Sequence, residues 1–298
     1  MQNIPIAVTT RLCGAVLAYF LLALLVTMPL LAWSQQQPNV EVSNQSTANI
    51  AYELTNPLSN LQLIDFQWNH DRGLGTNQAG TEQTLQIAPK IKMDVSENWK
   101  TLTRVYFNSS KLQNINGVNS SGIGPTQIET IFTPKSDQQT IYGLGPYIQI
   151  PGGQSGDFGS AQWGGGLRAV FLTMPRPWTI GVFIHQSWSL GGSAGAGTLQ
   201  SPGTGTTNTF SAWPTIAYTT SGAWIYTLDS ESTYNYDARR TFNPVNATIG
   251  KVVLIDNSPV NFTLGLRYNV SSYPSTLQYP GMPQGWGTRA QITFLMGH

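Results

Sequence analysis

Apolar and polar residues alternate with period two along most of the chain beyond residue 58, and this alternation predicts β-strands rather than helices. In 289–296 the residues Ala290, Ile292, Phe294 and Met296 share one face, and Arg289, Gln291 and Thr293 share the other. The segment 84–93 sets Leu85, Ile87, Pro89, Ile91 and Met93 against Thr84, Gln86, Ala88, Lys90 and Lys92. Val260, Phe262, Leu264, Leu266 and Tyr268 likewise oppose Asn261, Thr263, Gly265, Arg267 and Asn269. Weaker alternation runs through 61–69, 99–107, 124–133, 139–150, 164–173, 178–189, 209–219, 224–234 and 245–253. About twelve strands are expected, an even number as in bacterial single-chain membrane barrels.

The connections alternate too. Short turns at 94–98, 134–138, 175–177, 220–223 and 254–258 take turns with longer polar loops at 71–80, 108–121, 151–161, 191–208, 236–243 and 271–285. A soluble β-sandwich has no reason to show this rhythm. The fold class it predicts is all-β, a transmembrane antiparallel up-and-down β-barrel with short periplasmic turns, longer outer loops and both termini in the periplasm. Trp99, Trp178 and Trp224 each follow a short turn, where a strand re-enters the interface, and are expected to form part of an aromatic girdle.

Composition narrows the setting. Charged residues are 10% of the chain, against about 25% in soluble domains. Residues 1–34 combine a basic start, ending at Arg11, with an almost wholly apolar stretch and then Ala32-Trp33-Ser34, which predicts a signal peptide cleaved after Ser34. An uncleaved membrane anchor is the alternative, and both place the remainder outside the cytoplasm. Cys13, the single cysteine, leaves with the signal, so no disulfide is expected. Loss of Arg11 takes the 15 basic residues to 14, against 14 acidic, and this neutral balance argues against nucleic-acid binding. Past the signal, no apolar run reaches the roughly 18 residues of a transmembrane helix, so any crossing is by strands. The bacterial outer membrane is therefore the expected location. Residues 35–57 are expected to form a periplasmic amino-terminal segment with a short helix over 46–54, capped by Ser46 or Thr47 and ended by Asn56-Pro57, lying in the barrel mouth or free in the periplasm. The barrel itself is expected over 58–298.

Parity assigns the interior. Lys90, Lys92, Arg104, Glu129, Arg168, His185, Asp229, Glu231, Arg267 and Arg289 fall on the lumen face, because Arg or Lys facing lipid near the midplane costs about 2–4 kcal/mol. Eight strands are filled by side chains whereas sixteen leave a water channel, so twelve is compatible with a narrow pore for small solutes. It is equally compatible with a lumen closed by ion pairs or by the amino-terminal segment. The expected partners are outer-membrane lipids, a small solute and the barrel-assembly machinery.

Two rivals come from other classes. His185 and Ser187 share a strand face, as a lipid-modifying hydrolase would require, but no acid to orient the histidine follows until Asp229, and both point into the lumen. The chain is therefore not expected to be an enzyme. The Gly/Ser/Thr-rich loop 191–208 would be the exposed feature of an adhesive barrel; it has no lysine and so no phosphate cradle. His70, His185 and His298 are isolated, the His70-Asp71 pair reads as a solvated pair at the lip of the first loop, and neither a metal site nor a cofactor is expected.

Several segments in order give the chain a family likeness: Asn56-Pro57-Leu58, Asn98-Trp99-Lys100-Thr101-Leu102-Thr103-Arg104, Tyr142-Gly143-Leu144-Gly145-Pro146, Trp163-Gly164-Gly165-Gly166, Pro177-Trp178-Thr179-Ile180-Gly181-Val182, His185-Gln186-Ser187-Trp188-Ser189, Gly250-Lys251-Val252 and 259–265. Through them it resembles the outer-membrane barrels of the MetA-pathway of phenol degradation type, often described as transporters. The resemblance implies an outer-membrane barrel taking up small aromatic or apolar compounds. The chain departs from that family at Gly124-Pro125-Thr126, where an acidic residue is usual after Gly-Leu-Gly. It also ends in Gly297-His298, where many outer-membrane barrels carry an aromatic residue read during assembly.

Overall fold

The computed structural model describes residues 47–135, 139–152, 162–192, 197–198, 201–202, 208–272 and 281–296. The expected signal peptide, its cleavage point, Cys13, Ser46, His298 and most of the loops at 151–161, 191–208 and 271–285 lie outside the described residues.

Twelve antiparallel strands close into a barrel. They are β1 (Leu63–Leu74), β2 (Gly80–Asp94), β3 (Trp99–Ile115), β4 (Val118–Ile123 and Thr126–Pro134), β5 (Thr140–Ile150) and β6 (Gln162–Thr173), followed by β7 (Trp178–Gly192), β8 (Asn208–Thr219), β9 (Trp224–Ser230 and Ser232–Asn235), β10 (Arg240–Ile255), β11 (Ser258–Ser271) and β12 (Gly285–Leu295). Each pairs with its neighbours in sequence, and β12 closes on β1 from Leu63↔Leu295 to His70↔Thr288. Closure leaves no unpaired edge, which is what a sheet immersed in hydrocarbon requires. Two strands are interrupted next to proline: Pro125 divides β4, and Pro214 of β8, which has no N–H to give, lies beside the break in β9.

The barrel is inside out relative to a soluble protein. Phe66, Leu85, Ile148, Phe171, Leu264 and Phe294 are exposed on the outer wall, while Asn246, Asn269, Arg168 and Arg267 are buried within it. Successive side chains of a strand point to opposite faces, so a single register satisfies both surroundings. Replacing Leu264, 65% exposed and midway along β11, with Arg is expected to cost about 2–4 kcal/mol, read as a lower urea midpoint of the folded, heat-modifiable band.

Trp99, Trp178 and Trp224 are exposed on the outer wall at the end carrying the short turns. Trp178 meets Tyr218 edge-on at 4.8 Å, and Lys251 Nζ lies 5.0 Å above the Trp224 ring. A second aromatic group, not singled out in the sequence, stands at the opposite end: Trp163, Trp188 and Trp286 are exposed, and Trp286 contacts Tyr268 at 5.0 Å.

Three of the longer loops are shorter than the polarity pattern suggests. β3 and β4 run on to a tight hairpin at Asn116-Gly117, both with positive φ (51° and 83°), as Asn-Gly favours. The β1–β2 and β9–β10 connections likewise narrow to 75–79 and 236–239. Past the hydrocarbon both faces of a strand are wet, so the apolar alternation fades although the ladder continues, for instance at Thr81↔Gln113.

A helix, α1 (Thr47–Leu54), sits inside the barrel at the turn end. Tyr52 and the following Leu58 bury against Leu102, Ile131, Val170, Leu172 and Met174; Ile50 and Ala51 bury against Ala217, Ala223, Ile225 and Val252. Asn56 ends the segment in a turn, its Oδ1 accepting from Leu58 N at 2.9 Å.

Candidate functional site: the barrel lumen

From the turn end inward, the first layer is the seat of the amino-terminal segment. Lys90 Nζ reaches Ser59 Oγ at 3.2 Å, Pro57 O at 3.4 Å and Ser59 O at 3.5 Å, while Lys100 Nζ donates to Asn60 Oδ1 at 2.8 Å. On the helix, Tyr52 OH donates to Met174 O at 2.5 Å, and Arg176 lies 4.3 Å over the Tyr52 ring and donates to Asn49 Oδ1 at 3.0 Å. Burial raises the Tyr52 phenol above its ordinary pKa, in line with its donating a hydrogen bond as a neutral hydroxyl. Lys92 belongs to the rim of this layer: it pairs with Asp94 at 3.3 Å, which also holds Lys135 at 3.2 Å.

The second layer is a constriction of arginine–carboxylate pairs drawn from both sides of the barrel. On one side Arg168 of β6 pairs with Glu129 of β4, whose other oxygen accepts from Tyr106 OH at 2.6 Å, and Arg104 of β3 lies 3.6 Å from Asp65 of β1. The Arg168 guanidinium also stands 4.8 Å from the Tyr147 ring and 5.5 Å from those of Tyr106 and Trp213. On the other side Arg289 of β12 meets Glu231 at 2.8 Å and donates to Asn69 Oδ1 at 2.9 Å. Arg267 of β11 lies 3.3 Å from Asp71 and 3.7 Å from Glu231. Asn269 Nδ2 donates to Asp71 at 2.8 Å, and Asn246 Nδ2 donates to Asp229 at 2.5 Å. Gly287 leaves the room this cluster needs, since a Cβ there would stand 2.2 Å from Asp71 Oδ1.

The constriction separates two polar cavities. The one nearer the turn end is about 260 Å³ and is lined by Asp65, Lys90, Arg104, Asp229 and Arg289 under the amino-terminal segment. The one nearer the loop end is about 350 Å³ and includes Glu82, Gln86, Gln149, Arg168, His185 and Arg267. Eight of the ten sequence-selected lumen residues thus meet at or beside the constriction, while Lys90 seats the amino-terminal segment and Lys92 stands apart at the rim.

His185 and Ser187 share a face but form no nucleophile–base pair: the His185 ring meets Tyr147 edge-on at 4.4 Å, and Ser187 Oγ hydrogen-bonds Thr209 Oγ1 at 2.8 Å. His70 and Asp71 are not a solvated loop pair. Both belong to β1 and, as consecutive strand residues, face opposite ways: His70 stacks on Trp68 at 5.8 Å, and Asp71 joins Arg267 inside.

The residues that parity overlooked are those seating α1. Leu102, Ile131, Val170, Ala217, Ile225 and Val252 are apolar at lumen-facing positions near the short turns. A run of such exceptions at one end of a polar lumen is the signal that something apolar fills that end.

No family model matches the sequence, and no curated protein is similar to it in sequence. Among solved structures, the chain is similar to the COG4313 outer membrane channel from Pseudomonas putida F1, with a TM-score of 0.60, 11% identity, and coverage of 80% of this chain and 96% of that one. It aligns less closely with the Salmonella typhi outer membrane phospholipase (TM-score 0.45, 12% identity, 85% and 99% covered) and with the KdgM porin (TM-score 0.42, 10% identity, 79% and 99% covered). At these identities the likeness is one of fold: a closed antiparallel β-barrel of the outer-membrane kind.

Proposed function

We propose that the chain is an outer-membrane channel through which small solutes pass passively, without chemistry on the solute. One observation carries this reading: a barrel with an apolar outer wall keeps about 350 and 260 Å³ of polar, charge-lined space on either side of the arginine–carboxylate layer among the described residues. A purely structural barrel gains nothing from arginines that must be desolvated and paired. The turn end, where Trp99, Trp178 and Trp224 emerge, is the periplasmic end in this reading, and α1 is a periplasmic plug. Export by a signal peptide and insertion by the barrel-assembly machinery belong to the same proposal. So does membership of the MetA-pathway type of barrel, supported by the ordered segments described above. That family's aromatic or apolar compounds would find one aromatic wall, around Arg168, in an otherwise polar interior.

Purified, heat-modifiable protein in planar bilayers is expected to give discrete conductance steps and to let small solutes swell liposomes. Inserted protein that stays silent in both assays, with and without residues 47–57, would remove the channel reading.

A further inference from the structure

The cavity nearer the loop end has two unlike sides. One is aromatic, formed by Tyr147 and Trp213 with the His185 ring between them, 4.4 Å from the first and 6.5 Å from the second. The other is a run of hydroxyls and amides already joined across strands, Thr84 to Ser110 at 3.0 Å and Gln86 to Asn108 at 2.9 Å. Polar atoms buried in proteins nearly always have partners. Here Arg168 Nε, Arg267 Nη1, Trp213 Nε1 and His185 Nε2 have none among the described residues. The arginine and tryptophan nitrogens can only donate, and the imidazole nitrogen can donate or accept, so a guest that offers oxygen acceptors and a hydroxyl would satisfy all four. The arginine side chains are more than nine-tenths buried, at 7% and 5% exposure, so bulk water does not supply the deficit.

Charge decides the kind of acceptor. Arg168 is already neutralised by Glu129, and Arg267 by Asp71 and Glu231. Glu82 lines the same cavity and has no ion pair among the described residues. An added carboxylate or phosphate would face three carboxylates on that side and gain no unspent positive charge. An organic cation would find the Glu82 carboxylate, unpaired among the described residues, but would crowd two buried guanidiniums, and a choline titration is its direct test. A neutral solute with oxygen acceptors meets neither penalty, and a flat face of C–H groups suits the aromatic side.

We propose that this cavity binds a neutral polyhydroxylated solute of one or two sugar rings. Its ring face lies on Tyr147 and Trp213, and its oxygens accept from Arg168 Nε, Trp213 Nε1 and Arg267 Nη1. The assignment rests on the small-solute channel reading and names its substrate class. A volume of about 350 Å³ is at the lower end of small-molecule sites, which restricts the guest to that size.

The test is calorimetric titration of the full mature chain in detergent with glucose and maltose, with benzoate and choline as charged controls. Saturable binding of a sugar, and none of benzoate or choline, is the expected result. Trp213→Phe keeps a ring and deletes the donor; it is expected to weaken sugar binding about tenfold, roughly one hydrogen bond, with heat-modifiability unchanged. Flat sugar titrations of folded protein, tighter binding of benzoate or choline than of either sugar, or a sugar affinity indifferent to Trp213→Phe would each overturn the proposal. Bilayer conductance read on the same preparation separates the two claims. Conductance without sugar binding sinks the site alone, and sugar binding in a barrel that never conducts sinks the channel and leaves the site.

Discussion

Deleting residues 47–57 is expected to raise the conductance of the barrel in planar bilayers severalfold over that of the undeleted chain. α1 fills the lumen at the turn end, where Tyr52, Ile50 and Ala51 occupy the space between opposite walls. A buried side chain the size of Ile50 contributes about 1.5–3 kcal/mol to holding the plug, beyond the contacts of Arg176 with Asn49 and of Lys90 with Pro57 O. The barrel does not depend on this segment for closure, because every strand is paired on both sides without it. Deletion therefore opens one mouth and leaves a folded wall, whose newly exposed Leu102, Ile131 and Ile225 meet water. Unchanged conductance in the shortened chain would assign the resistance to the arginine–carboxylate layer and relieve the helix of any gating role.

The strands were legible because hydrocarbon and a polar interior impose opposite demands on neighbouring residues. Leu264 and Gly265, or Phe294 and Thr293, cannot exchange faces without putting a polar group into lipid. The same logic places Arg104, Glu129, Arg168, Asp229, Glu231, Arg267 and Arg289 in the interior from the sequence alone. It could not say which acid meets which base, since Asp71 reaches Arg267 through closure of β12 on β1 and Glu231 meets Arg289 from three strands away. Parity also fell silent where both faces are wet, which is why the β3–β4 hairpin read as a loop despite Asn116-Gly117. Nor could the helix be placed from its own eight residues. Its position was encoded in the walls, in apolar residues at lumen positions such as Val170 and Val252 that no polar interior calls for.

Glu129→Ala is expected to destabilise the barrel by about 3–5 kcal/mol, the cost of leaving one charge of a buried pair without its partner. Glu129 accepts from both Arg168 and the Tyr106 hydroxyl, so its loss strands a guanidinium that is 7% exposed. The rings of Tyr147, Tyr106 and Trp213 lie within cation–π range of Arg168 with or without Glu129, so they hold the guanidinium in place but do not replace the lost charge. Glu129→Gln keeps an acceptor for Tyr106 and should lose less. Removing both charges in Glu129→Leu with Arg168→Met should return most of the stability, since the desolvation penalty goes with the pair. Lys92→Ala at the rim, where Asp94 is half exposed, is the contrast and should change stability by no more than about 1 kcal/mol. All four can be read as urea midpoints of the heat-modifiable band. The comparison reports the state of the constriction itself: if water reached Arg168 freely, Glu129→Ala would cost no more than Lys92→Ala, and the layer of ion pairs would be a wet filter rather than a dry partition.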